Sequence, residues 1–201
     1  KDYNLIQNID SKNNIIIGFV GYMIPWHGGD VLISAMVRLL KKYKDVVFLI
    51  VGGIDYSVDL NMINQFNDRF KIINNVDHDI IYDFINLFDV GVMAQSNDYG
   101  SPMKLIEYMG MAKAVIGPDT PAVRELIEDS VTGLLVESEN EDDLYDKLEK
   151  LVTDKEERDR LGKNARKFIL ERNMTWQDNA KRIIDEYKSF NGGEDVVTTT
   201  A

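Results

Sequence analysis

Two stretches of this chain, NIIIGFVG at 14–21 and VVFLIVGG at 46–53, are almost continuously apolar and rich in β-branched residues. A strand with one wet face alternates apolar and polar residues. These two do not alternate, so both of their faces must be covered. Four more strand-like runs follow: FKIINNV at 70–76, DVGVMAQ at 89–95, AVIGP at 114–118 and GLLVE at 133–137. Between them the apolar residues recur at helical spacing, most clearly Val31, Leu32, Ala35, Met36, Leu39 and Leu40. A weaker helix is expected near 57–66, others at 78–88 and from Pro102, and a short one around 121–129. Buried strands alternating with helices imply βαβ units. The expected fold class is therefore α/β, a parallel sheet of about six strands with helices on both faces.

From 139 onward the pattern is helical only. Leu144, Leu148 and Leu151 form one stripe, and Leu161, Ala165, Phe168 and Ile169 a second. Trp176, Ala180, Ile183, Ile184 and Tyr187 form a third. All three are expected to be packing faces. The chain divides into an N-terminal extension or interdomain segment at 1–13, one domain at 14–190, and a tail at 191–201 expected to be disordered. It begins without Met and reads as a piece of something longer.

The net charge of −11 argues against a nucleic-acid backbone or an anionic lipid surface as partner. It leaves room for a small anion in one local positive pocket. Cysteine is absent, so neither a disulfide framework nor a thiolate metal site can form. No two histidines have metal-ligand spacing, and neither metal nor cofactor is expected. No apolar run reaches membrane-spanning length, and the first ten residues are not a signal peptide.

In an open parallel sheet, ligands bind beyond the carboxyl ends of the strands. Four loops lie there: 21–29, 52–56, 74–79 and 94–102. In the first, GYMIPWHGG, the glycines admit a ligand close to the backbone, and the following helix offers N–H groups to a phosphate. The spacing is not that of the dinucleotide fingerprint. His27 there is either a ligand contact or a solvated loop histidine. The second strand ends on Gly52 and Gly53. The third loop, with Asn75 and Val76, either holds a nucleobase through its backbone or is a polar turn capping the next helix.

The fourth loop runs into YGSPMKLIEYMG at 99–110. Ser101 suits an N-cap and Pro102 the first helical position. Lys104 then stands in the first turn, where the helix dipole disfavours a cation. A bound diphosphate reverses that sign. Glu107 shares its face, one turn deeper, where a carboxylate can accept two hydrogen bonds from a ribose diol. The competing reading is an exposed i,i+3 ion pair. No Ser/His/Asp arrangement has the context of a hydrolase elbow.

The order GFVGYMIPWHGGDVLISA, FLIVGG, the loop at 74–79, YGSPMKLIEYMGMAKAVIGPDTPAVRELI and VTGLLVE resembles the donor half of a GT-B glycosyltransferase. It is most similar to glycosyltransferase family 4, the glycosyl transferases group 1. DKEERDRLGKNARKFILERNMTW at 154–176 resembles that family's ending, and the likeness covers roughly residues 14–190. It implies a Rossmann-like half of a GT-B fold with a helical C-terminal segment. It implies a UDP- or GDP-linked sugar held between two domains, retention of anomeric configuration, and no metal. An N-terminal acceptor domain of the same enzyme would be the partner, with a cytoplasmic location and any inner-membrane contact made by that domain. Glu107 falls where the family binds ribose hydroxyls, and Lys104 with Gly100 and Ser101 beside the diphosphate. Gly21 and His27 fall in the loop meeting phosphates and sugar. Three positions depart: Tyr99, flanked by Asp98, stands where the family often has Glu, Tyr22 where it often has Arg, and His27 where Lys is usual. The alternative is a non-catalytic nucleotide-sugar-binding or regulatory module on the same scaffold.

Overall fold

The computed structural model describes residues 9–24, 27–54, 60–66, 68–97 and 101–190. The six expected strands form one sheet: β1 Ile15–Met23, β2 Val46–Ile54, β3 Phe70–Asn74, β4 Val90–Val92, β5 Ala114–Pro118 and β6 Leu134–Val136. Their order is β3-β2-β1-β4-β5-β6 and every pairing is parallel. The chain starts in the centre, builds outward to β3, then crosses back to β4 on the other side of β1. The crevice between the carboxyl ends of β1 and β4 is thus the switch point where such sheets bind ligands.

Seven α-helices accompany the sheet among the described residues: α1 Gly29–Lys42, α2 Ile81–Leu87, α3 Met103–Gly110, α4 Pro121–Arg124, α5 Glu141–Thr153, α6 Lys155–Glu171 and α7 Trp176–Phe190. Ile17 and Phe19 of β1 pack in one core with Leu32, Met36 and Leu39 of α1 and Leu144 and Leu148 of α5. Ile16 and Val20 pack in the other with Phe84 of α2, Leu105 and Tyr108 of α3, Val123 of α4 and Ala165 of α6. This two-faced burial is what the unbroken apolar strands require.

Three helical expectations are revised. The weak helix near 57–66 is two 3-10 turns, Leu60–Met62 and Asn64–Phe66, with 55–59 outside the described residues. The helix expected at 78–88 opens as a 3-10 turn, His78–Ile80, before α2. The one at 121–129 is the single turn α4, capped by Thr120, whose side chain accepts from the Val123 N–H at 3.4 Å. The third apolar stripe is no packing face within these residues. No residue of α7 is buried, and Trp176, Ile183, Ile184, Tyr187 and Phe190 are all exposed. The expected tail, 191–201, and most of the expected extension, 1–8, lie outside the described residues. No helix among them is long and apolar enough to cross a membrane.

One buried contact fixes α3 on the sheet. The Val20 N–H donates to the Tyr108 hydroxyl at 2.7 Å, and Tyr108 is fully buried with its ring against Phe88. Tyr108→Phe leaves that N–H without its acceptor. It is expected to cost about 1–3 kcal/mol of stability, read as a lower denaturant midpoint with unchanged slope.

Candidate functional site

β1 and β2 run past the edge of the sheet in register, Gly21 beside Gly52 and Tyr22 beside Gly53. Gly21 and Gly52 have φ of 115° and 140°, a region that L side chains rarely adopt. A Cβ on Gly52 would also collide with the Gly21 carbonyl. The two glycines thus keep the strand ends bare, and an open cleft of about 650 Å³ forms over them. Gly21, Tyr22, Gly52, Asn75 and Val76 all line it, with Ile81 from α2. Asn75 has φ of 56°, which turns the chain sharply out of β3. Gly53 is not in the lining of the cleft, and a Cβ there would meet the Tyr22 ring.

Lys104 stands in the first turn of α3, as the spacing predicts, but the ion-pair reading fails. No carboxylate lies within 4 Å of its ammonium among the described residues. Nζ sits instead 4.1 Å above the centre of the Phe19 ring and beside Gly21, 3.5 Å from where a Cβ would project. Burial is the main reason its pKa falls, to about 8, with Glu107 only partly offsetting it. A half-buried ammonium held by an aromatic face at the mouth of a cleft is a cation lacking its anion.

The ends of two helices converge on the same place. Ser101 does not cap α3: Pro102 occupies the N-cap position, with no side-chain capping hydrogen bond. Ser101 is exposed, and its carbonyl accepts from the Met103 N–H at 2.9 Å. Gly28, at φ of 68°, starts α1, again without a side-chain cap. A Cβ there would lie 2.8 Å from Cβ of Gln95, just beyond β4, so the start of α1 closes against the switch point.

His27 belongs to this cluster. Its Nδ1 lies 2.9 Å from the Tyr22 carbonyl, which can only accept, so Nδ1 carries the proton. Its ring is 6.2 Å from that of Phe19. Burial and then the nearby Lys104 charge lower its pKa, while the bond to Tyr22 opposes them. Glu107 is half-buried, and burial raises its carboxyl pKa, with His78 and Lys104 pulling it back. It borders a second, more apolar cavity of about 410 Å³ with Tyr82, Ile106, Met111 and Trp176, and does not line the cleft over Gly21. Asp98, Tyr99 and Gly100 lie outside the described residues. The sequence did not single out Phe19, Tyr108 or Gln95. Phe19 and Tyr108 are apolar core positions by pattern, and only the packing of α3 on β1 brings them to the site.

The family described as glycosyl transferases group 1 matches residues 4–168. An uncharacterized glycosyltransferase of Methanocaldococcus jannaschii is 28% identical over 184 residues, 89% of this chain and 45% of that protein. The chain spans about half the length of the curated relatives it matches. Among solved structures, the C-terminal domain of the glycosyl transferase group 1 family protein LpcC from Francisella tularensis superposes with a TM-score of 0.71. It is 25% identical, over 82% of this chain and 90% of that one. Anabaena HepE in complex with UDP has a TM-score of 0.78 at 20% identity, covering 92% of this chain and 52% of HepE.

Proposed function

We propose, from the premise that this chain belongs to the glycosyl transferases group 1 family, that it is the donor half of a retaining glycosyltransferase. Its substrate is a nucleoside-diphosphate sugar, and its acceptor a glycan or lipid-linked sugar held by a second domain. The observation that carries this reading is the Lys104 ammonium, half-buried over Phe19 and beside bare Gly21, with no carboxylate partner among the described residues. A diphosphate there gains the ammonium and the positive end of the α3 dipole. As the anomeric carbon–oxygen bond breaks, the same groups stabilise the charge left on the β-phosphate. The acceptor hydroxyl oxygen bonds to the anomeric carbon on the face the diphosphate leaves, and its proton passes to the departing phosphate oxygen. HepE, which shares this fold, is solved in complex with UDP, in keeping with a nucleotide ligand. Glu107 supplies the ribose contact and Ser101 with Gly100 the backbone beside the phosphates.

Calorimetry of the protein against UDP, GDP and ADP tests the reading. Binding of at least one is expected, and binding of none rejects it. Among the described residues no three His, Asp or Glu side chains cluster closely enough to hold a metal ion. Nucleotide affinity is therefore expected to survive exhaustive chelation, and a large loss would show a metal-dependent site. Glu107→Ala is expected to weaken uridine and UDP alike by about 1–3 kcal/mol, the worth of hydrogen bonds to a charged acceptor. A loss confined to UDP would move Glu107 from the ribose to the phosphates.

The pH dependence follows from Lys104. Without ligand its ammonium loses its proton near pH 8. A bound diphosphate favours the charged form and raises that pKa. UDP affinity is therefore greatest below pH 8 and falls as pH rises through it, by up to about tenfold per unit. Titrations between pH 7 and 9.5 should show this slope for UDP and none for uridine.

A further inference from the structure

We infer that Tyr22 is the platform on which the donor's nucleobase stacks, at the β2–β3 end of the cleft. The inference rests on the transferase reading above and adds which part of the donor Tyr22 holds.

The cleft has two chemically distinct ends. Toward β4 stand the Lys104 ammonium and the uncapped start of α3, which suit phosphate. Toward β3 the lining among the described residues is Tyr22, Ile54, Ile72, Asn74, Asn75 and Val76, with no charged side chain. A ligand anchored by its diphosphate at Lys104 and lying across the strand ends puts a neutral moiety there. Tyr22 is 53% exposed, unusual for a large ring at the end of a central strand. It is nevertheless positioned: its carbonyl accepts from His27, and its ring covers the backbone of Gly53. A Cβ on Gly53 would come within 2.6 Å of the ring's Cε2 and 3.4 Å of Asn74 Oδ1. Gly53 has no positive φ that would demand glycine, so its missing side chain is explained by the ring above it. The Cδ2–Cε2 side of the ring lies over the strand, and about half of the residue stays exposed where it lines the cleft.

The ring's chemistry selects the base over the phosphate. The negative face of a phenol ring repels a diphosphate, and Tyr22 cannot supply the charge of an arginine. A flat heterocycle gains from stacking on it, and the turn at Asn74–Val76 offers backbone groups to the heterocycle's edge. Stacking accepts any base, so Tyr22 supplies affinity and leaves the choice among bases to that turn.

The test is calorimetry of uridine, UDP, UDP-glucose and inorganic pyrophosphate against the protein and four variants. Tyr22→Ala is expected to weaken uridine, UDP and UDP-glucose by the same factor, about 5–150-fold, with pyrophosphate unchanged and Tyr22→Phe close to wild type. Gly53→Ala, which pushes the ring off its seat, is expected to weaken uridine in the wild-type background. In the Tyr22→Ala background it should add little, because the two changes remove one interaction. Undiminished uridine binding in Tyr22→Ala overturns the inference. So does a loss confined to pyrophosphate and UDP, or one that appears only when the sugar is attached. Wild-type protein that binds none of the four ligands removes the transferase reading itself, and this inference with it.

Discussion

With Lys104 replaced by methionine, UDP binding is expected to weaken about 10–100-fold, the worth of charge-assisted hydrogen bonds to a group withdrawn from water. Methionine keeps an unbranched stem on the Phe19 ring and removes only the charge, so packing of α3 should be little disturbed. Uridine binding is expected to change less than twofold. In a protein carrying both halves of the enzyme, turnover should fall on the order of 10²–10³, the usual cost of removing one group aimed at developing negative charge. Lys104→Ala should do the same, with an added loss of stability from the exposed Phe19 face. The contrast between ligands is the decisive measurement. Equal losses for uridine and UDP would show that Lys104 shapes the cleft without touching phosphate, and the cation over Phe19 would then be a packing feature.

The expected size of that effect comes from a property the sequence conceals. Lys104 and Glu107 at i and i+3 look like a surface ion pair, and spacing alone cannot separate that from an anion site. The distinction depends on β1, more than eighty residues earlier, which puts Phe19 and Gly21 under the ammonium and shields it from water. The strands themselves were plainly written. Their apolar runs cannot sit at a wet surface, and all six form with shifts of at most three residues at their ends. Short-range signals were weaker where the polar segments run: the segment before β3 offers no complete apolar face and forms 3-10 turns in place of a helix. The cap of α3 was misassigned for a local reason. Pro102 adopts ψ of 52°, outside the helical region, so the helix starts one residue later and the Ser101 hydroxyl makes no cap. The departures at Tyr22 and His27 were legible as unusual residues. That they are joined by a hydrogen bond, and that the Tyr22 ring is seated on Gly53, needed the register of β1 on β2.

The 201 residues assayed alone are expected to bind nucleotide and to show no efficient sugar transfer. Acceleration of transfer depends on holding the acceptor hydroxyl against the anomeric carbon, which is a positioning effect. The cleft is open, with one wall built from the ends of β1, β2 and β3 and the start of α2. On the proposed function it offers leaving-group stabilisation, and no described residue stands opposite to orient an acceptor. The exposed stripe on α7 points the same way. Trp176, Ile183, Ile184, Tyr187 and Phe190 are between 51% and 81% exposed, and they follow one another along a single helix of which no residue is buried. A face of that size and composition is normally covered. A second domain packed on it would lie beside the apolar cavity that Glu107 borders, because Trp176 and Arg182 of α7 line that cavity too. Water can still reach the sugar in the open cleft, so slow hydrolysis of the donor is the expected residual activity. The measurement is release of UDP from UDP-sugars with and without glycan and lipid acceptors, first with these residues alone and then joined to an N-terminal half from a relative. Transfer should rise steeply on joining. Turnover by the 201 residues alone at about 1 per second or faster, a rate ordinary for intact enzymes, would show that the acceptor is bound on this half, and that the α7 stripe serves some other contact.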